Sequence, residues 1–268
     1  MSENAYFMQG DQETRRLEIK TDKEAVRSQA LWAGVQPGMR VADLGCGPGV
    51  TTRILHDLVQ PGGRVVGVDV VEDRIAYARA HYPGEGIDYV CADIRDSLDH
   101  LGRFDRVWLR FVLEYHGSKS FDIVRRARKI LRPGGKLCLI DLDHNCLTHY
   151  GFSARFERAY RGIMDGLTEK TDFDPYVGRK LYSFLYDLGC RDICVQMTAH
   201  HLIYGKLRSA DAINWTRKVE MASSVSGYAF PEYEGGYKAF FEEFTEAFSN
   251  PRRFTYTPVI VCIGTPPH

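Results

Sequence analysis

Several features are missing from this sequence. It has no run of about 18 apolar residues, the length a membrane-spanning helix requires, so no membrane partner is expected. It has no excess of either charge: 35 basic residues face 35 acidic ones. Binding to a phosphate backbone usually leaves a basic footprint, so nucleic acid is not the expected partner. Its seven cysteines (Cys46, Cys91, Cys138, Cys146, Cys190, Cys194 and Cys262) form no C-x-x-C pair and have no ligand-spaced histidines. That predicts free thiols in a reducing compartment rather than a zinc site or a disulfide framework. Met1 to Gly10 lacks a basic segment followed by an apolar one, which predicts no secretory signal and a cytoplasmic protein. There is no internal repeat, low-complexity tract or evident linker. What is present is a 268-residue chain, 44% hydrophobic and 26% charged. Such a chain can bury a core unaided, as one large domain or as a domain with a substantial insertion.

Hydrophobic patterning orders the elements. Thr21 and Glu24 have capping-box spacing and predict a helix over 21–33, stopped by Pro37-Gly38. Short runs rich in Val, Ile and Leu follow at 40–44, 64–68, 87–91, 106–109 and 136–142. Helical stretches at 50–59, 72–81 and 119–131 lie between several of them. Turns at Pro61-Gly62-Gly63 and Pro133-Gly134-Gly135 mark helix exits. This alternation predicts an α/β fold, a doubly wound and mostly parallel sheet with helices on both faces. After 143 the rhythm breaks. Helices are expected at 152–167, 176–188, 209–222 and 234–248, and strands at 191–203 and 257–264.

The segment Val41-Ala42-Asp43-Leu44-Gly45-Cys46-Gly47-Pro48-Gly49 follows a strand and opens a helix. Glycines at alternate positions let a ligand press against the backbone beside the N–H groups of that helix. The dinucleotide pattern G-x-G-x-x-G/A fails here: counted from Gly45, its last position is Val50. Asp69 ends the next strand, where a carboxylate can accept bonds from both hydroxyls of a ribose. Asp93 follows the third. Singly, each acid is as readily a turn former. Together with Asp43, they put an acid at or near the carboxyl ends of three successive strands, the edge where open α/β sheets bind ligands.

These residues resemble the motifs of class I S-adenosylmethionine-dependent methyltransferases. Asp43 to Gly49, Asp69 and Ala92-Asp93-Ile94 look like the first three motifs. Phe104 to Glu114 looks like the fourth, and Leu131 to Leu137 like the turn into the fifth strand. The match covers roughly 39–143 and is most similar to the small-molecule branch, the type 11 and UbiE-like enzymes. The resemblance implies a seven-stranded Rossmann-like sheet whose last strand is antiparallel, with S-adenosylmethionine as cofactor. It implies that Gly45 and Gly47 lie against the methionine portion and that Asp69, with Val70 beside it, holds the ribose. Asp93 and the Ile94 backbone would meet the adenine. Asp43 would orient the amino group or the turn. Arg110 would pair the carboxylate or hold the loop. The fourth strand reads Trp108-Leu109-Arg110-Phe111, without the motif of base-amine methylation and without a Pro-Cys nucleophile.

Tyr6 and the stretch Glu13-Thr14-Arg15-Arg16-Leu17 resemble an arm that some relatives fold over the cofactor, so Tyr6 would cover the sulfonium and Arg16 reach its carboxylate. A solvated surface arm is the competing reading. Residues 144–250 are rich in aromatics, which would build a core, a substrate wall, or both. His200 and His201 are adjacent on a strand, which predicts opposite faces and no metal site. His116, just after the fourth strand, and His144, just after the fifth, are the candidate general bases. A base is needed only if the acceptor is a hydroxyl or an acidic carbon.

The organisation expected is an arm and helix over 1–34, a cofactor-binding core over 35–143, a cap with the sixth strand over 144–250, and a last strand over 251–268. The function expected is methyl transfer to a small, partly apolar or aromatic acceptor in a closed, mostly apolar pocket. A non-catalytic S-adenosylmethionine-binding module and a nicotinamide oxidoreductase are the rivals, the latter disfavoured by the Gly45–Val50 spacing. A homo-oligomer is compatible with the sequence.

Overall fold

The structure, a computed structural model, describes residues 17–18 and 21–267. Its first complete helix, α1 (Lys23–Trp32), starts two residues later than the 21–33 span predicted, its N-cap moving from Thr21 to Asp22. Asp22 is the N-cap and accepts a 3.0 Å bond from the Ala25 N–H, while the Thr21 hydroxyl donates to the Leu17 carbonyl. An aspartate there both fills an orphan donor and complements the helix dipole. Asp22→Ala is expected to cost about 1 kcal/mol, read as a lower urea midpoint at unchanged slope.

The strands are β1 (Arg40–Leu44), β2 (Arg64–Asp69), β3 (Ile87–Cys91), β4 (Phe104–Arg110), β5 (Leu131–Leu142), β6 (His149–Tyr150), β7 (Arg191–Tyr204) and β8 (Phe254–Thr265). Their order across one sheet is β3-β2-β1-β4-β5-β8, with β6 and β7 also paired to β8. The pairs among β1 to β5 are parallel, and β8 is antiparallel to β5 and β7. The expected seven strands and antiparallel last strand are present, and the two-residue β6 is an eighth. Pro133-Gly134-Gly135 falls inside β5, opposite an irregularity in β4, rather than outside the strand.

Helices cover both faces because the central strands are apolar on both sides. On one face α1 and α2 (Val50–Val59) pack on Val41, Val65, Trp108, Ile140 and Val261. On the other, α4 (Ser120–Ala127) and α6 (Leu181–Asp187) pack on Leu109, Leu139 and Cys262. Between them in sequence, α3 (Glu72–His81) buries Ile75 and Ala78 against Tyr89. Strand β1 has β2 on one side and β4 on the other. This is a topological switch point, with a crevice beyond the strands' carboxyl ends.

The stretch 144–250 divides in two. Its middle returns to the sheet as α6 and β7. The rest forms a helical cap of α5 (Ala154–Thr171), α7 (Ser209–Ser226) and α8 (Gly236–Ser249). The cap has its own core, with Trp215, Phe156, Tyr160, Phe240 and Phe244 buried at its centre. Most aromatics of this region are spent there. No helix among the described residues is long and apolar enough to cross a membrane.

Candidate active site at the carboxyl edge of the sheet

The β1–α2 turn is built by its glycines. Gly45 has φ +78°, and a Cβ on it would come within 2.3 Å of Val112; its N–H donates to the Val68 carbonyl. Gly47, at φ +54°, has open space where a Cβ would stand. Its N–H donates to Asp69 Oδ2 at 2.9 Å, and Asp69 Oδ1 accepts from the Val71 N–H at 3.0 Å. Asp69 is thus aimed by two backbone bonds, with the Arg74 guanidinium 3.9 Å away. A carboxylate has about four acceptor positions, so two remain for a ligand.

One cavity of about 220 Å³ runs along this edge. It brings together eight of the residues singled out in the sequence: Gly45, Gly47, Asp69, Val70, Asp93, Ile94, Arg110 and His116. Asp93 carries a bidentate bond from Arg95. Burial pushes its carboxyl up, but the Arg95 bonds prevail and hold it below the usual carboxylate range. The Arg110 guanidinium donates from Nε to Gln29 Oε1 at 3.1 Å and lies over the Phe111 ring. Burial lowers its pKa to about 10, so it remains a cation, and among the described residues no carboxylate forms an ion pair with it. Burial, helped by the nearby Arg95 charge, also lowers the His116 pKa and favours a neutral ring.

Two predicted residues stand elsewhere. Asp43 is buried beneath the turn, accepting 2.7 Å from the Thr52 hydroxyl, and does not line the cavity. Its pKa is raised to about 7 by burial. It ties the end of β1 to α2. His144 also lies off the cavity, edge-on to Tyr176 at 5.2 Å. Just past β5, His144 takes a left-handed φ of +49°, beside the Asp143–Arg179 pair. Tyr6 and Arg16 lie outside the described residues. His200 and His201 do not face apart: a β-bulge follows His200, His201 takes φ +50°, and the ring centroids lie 3.8 Å apart, tilted at 43°. No group of three or more metal-ligating side chains occurs among the described residues.

Other residues that the sequence did not assign to the cavity complete it. Thr171 and Asp172, at the end of α5, and His200, on β7, line the cavity from outside the cofactor motifs. Asp172 clasps the loop that carries His116. Its carbonyl accepts from the Gly117 N–H at 2.8 Å, and its carboxylate accepts from the Ser118 N–H and hydroxyl at 3.0 and 2.8 Å. Behind that loop, buried Asp141 accepts from the Leu113 and Glu114 N–H groups, and Glu114 accepts from Asn145 at 2.6 Å. Burial and the Glu114 charge hold Asp141 well above the usual carboxylate range. The signal for Asp141 was available: Ile140-Asp141-Leu142 ends a strand in the same manner as Asp69 and Asp93. The wall is also more polar than expected, since Asp172, Lys119 and Glu114 reach it while the cap aromatics fill their own core.

Comparison with known proteins agrees with this geometry. A family described as "Methyltransferase domain" matches residues 41–135. A ubiquinone biosynthesis O-methyltransferase of Xanthomonas axonopodis pv. citri (strain 306) is 33% identical over 122 residues, covering 44% of this chain and 49% of the relative. The chain thus spans about half the length of the curated relatives it matches. Among solved structures, coclaurine N-methyltransferase bound to N-methylheliamine and SAH superposes with a TM-score of 0.53 at 17% identity, covering 90% of this chain and 72% of the other. The cyclase SpnF gives 0.53 at 16%, covering 92% and 82%. At such identities the likeness is one of fold.

A methyltransferase domain implies S-adenosylmethionine, and the residues present fit it. Open space lies over Gly47, Asp69 keeps two acceptor positions, and Arg110 offers a cation for a carboxylate. Residues 41–135 match a methyltransferase domain, and the fold around them is the Rossmann-like one seen in solved methyltransferases.

Proposed function

We propose that this chain transfers a methyl group from S-adenosylmethionine to a small, partly apolar or aromatic acceptor. The observation that carries the reading is the continuity of one cavity, from the Gly47 turn and Asp69 to His116, Asp172 and His200. We read 35–143 with 251–268 as the cofactor core and 144–250 as the segment that closes over it. The bound cofactor would supply a sulfonium methyl, an electrophile strong enough that positioning and water exclusion do most of the work. Asp69 holds the ribose, Ile94 and Asp93 flank the adenine, and Arg110 pairs the carboxylate. The neutral His116 ring would accept the acceptor's proton as the acceptor–carbon bond forms and the carbon–sulfur bond breaks, leaving the neutral thioether S-adenosylhomocysteine. Zero net charge supports a small acceptor over nucleic acid, and seven unpaired thiols support a cytoplasmic setting.

The name of the Xanthomonas relative makes O-methylation the first chemistry to test. Purified protein with methyl-labelled S-adenosylmethionine and a panel of hydroxylated aromatics is expected to yield labelled product and S-adenosylhomocysteine. Tight S-adenosylhomocysteine binding with no transfer to any acceptor would favour a binding module. The SpnF fold likeness keeps that rival relevant, because a cyclase shares this architecture.

Asp172 is a positioning residue in this scheme. Asp172→Ala removes both side-chain bonds to Ser118 but leaves the backbone bond to Gly117. It is expected to lower kcat roughly 3- to 10-fold, the effect of losing modest hydrogen bonds, while S-adenosylhomocysteine affinity stays unchanged. Rescue by Asp172→Asn, which keeps one acceptor oxygen, would separate positioning from general destabilisation.

A further inference from the structure

Strand β7 alternates. Ile193, Val195, Met197 and Ala199 are apolar, and Asp192, Cys194, Gln196 and Thr198 between them are polar or small. Such a pattern describes a strand with one face against a core. The chain supplies only part of that cover. The register sets Val195 opposite Cys262, Met197 opposite Ile260 and Ala199 opposite Pro258, so these lie on the face that α6 packs upon. Helix α6 reaches the Gly264 end, where a Cβ on that glycine would meet Leu185 at 3.3 Å. Beyond it the face is open. Val195 is 51% exposed and Met197 67%. Past the bulge, Tyr204 and its partner Phe254 are 65% and 42% exposed, and Tyr150, paired to Phe254 from the other side, is 73% exposed. The rings of Tyr204 and Phe254 stack at 6.4 Å.

We propose that this uncovered face of β7 and β8 is the interface of a homodimer, two copies packing face to face about a two-fold axis. Three observations select a second copy. First, the five side chains named expose on the order of 600 Å² of mostly apolar surface, counting about 200 Å² for a whole aromatic side chain. That approaches the roughly 800 Å² each partner contributes to a standard interface, and the adjoining strand surface makes up the difference. It also reaches the upper limit for apolar patches on monomers. Second, none of these side chains is charged, and neither are Ala199, Pro258 and Ile260 between them. An isologous contact sets each residue group against its own copy, so an uncharged face meets itself without like-charge repulsion. Third, an acidic membrane surface would select for lysine or arginine within the patch, and none of the side chains named is either. Two sheets meeting in this way would pack about 10 Å apart, as in a sandwich. The proposal does not depend on the methyl-transfer reading.

The test is sedimentation of the full chain over a range of concentrations, with reductant present so that exposed Cys194 cannot link copies covalently. The wild type is expected to sediment as a dimer at micromolar concentration. The double variant Met197→Lys/Tyr204→Lys is expected to raise the dissociation constant by about 30-fold or more, with its circular dichroism spectrum and S-adenosylhomocysteine affinity unchanged. If the lysine pair does not fold, Tyr204→Ser together with concentration-dependent hydrogen-exchange protection of β7 and β8 decides the question. A wild type that stays monomeric throughout overturns the proposal. So does a dimer that survives both substitutions, or a monomer that co-sediments with phosphatidylcholine vesicles through this face.

Discussion

His116→Asn is expected to lower kcat by about 10²- to 10⁴-fold, the range for losing a positioned general base, with S-adenosylmethionine affinity kept within about 2-fold. The ring lines the cavity, and the loop that holds it is pinned from three sides. The Leu113 carbonyl accepts the His116 N–H, Asp172 holds Gly117 and Ser118, and Asp141 holds Leu113 and Glu114. Burial, then the Arg95 charge, lowers the pKa below its ordinary value of about 6.5. The neutral form accepts the proton, so activity is full above the shifted pKa and falls as pH drops through it. A lowered pKa therefore extends the active range to more acidic pH. The kcat/KM profile of the wild type should show an acidic limb with its midpoint below about 6.5, and His116→Asn should abolish that limb. A kcat loss under about 3-fold would leave positioning alone as the mechanism, since a sulfonium needs little help when its acceptor is already nucleophilic. A limb with its midpoint above the ordinary histidine value would remove His116 as the base.

The cofactor half of this site was legible because each part is local. A tight turn needs Gly45 and Gly47 in sequence, and strand ends place Asp69 and Asp93 by period alone. The element order was legible for the same reason, whereas the antiparallel last strand was expected only from the family resemblance. What the sequence did not disclose depends on where distant segments meet. Asp172 is 56 residues from His116, and only the folded cap brings the end of α5 onto that loop. Asp43 and Asp69 look equivalent as acids near strand ends. They differ because Asp43 stops two residues short of the turn and finds Thr52, while Asp69 reaches the edge. The cap aromatics were ambiguous because helical periodicity does not tell a core from a pocket wall. A separate layer of three helices needs its own core, and Trp215, Phe156 and Phe240 provide it. His200 and His201 defeated strict alternation because a bulge inserts a residue, which no period-2 reading anticipates.

Asp69→Ala is expected to weaken S-adenosylhomocysteine binding by about 1.5–3 kcal/mol, roughly 10- to 150-fold in Kd, as for hydrogen bonds to a charged group. The carboxylate does two things at once. It fixes the cradle through the Gly47 and Val71 N–H groups, and in the proposed function it would offer its two remaining acceptor positions to the ribose hydroxyls. Asparagine is not a conservative replacement here. Each Asp69 oxygen already accepts from a backbone N–H, so the amide NH2 of an asparagine in its place would face a donor whichever way it turned. Asp69→Asn should therefore lose much of the affinity that Asp69→Ala loses, whereas a residue that met only the ribose would tolerate the amide better. Calorimetry with S-adenosylhomocysteine on the wild type and both variants measures the difference, and urea unfolding of the same samples shows whether the turn alone or the whole domain has loosened. The Gly47 turn lies at the carboxyl edge of the sheet, outside the packed core that α2 buries, so the unfolding midpoints should move far less than the affinities. Tight binding of NAD by the wild type, with no response to S-adenosylhomocysteine, would instead make Asp69 the ribose anchor of a dinucleotide and return the site to oxidoreductase chemistry.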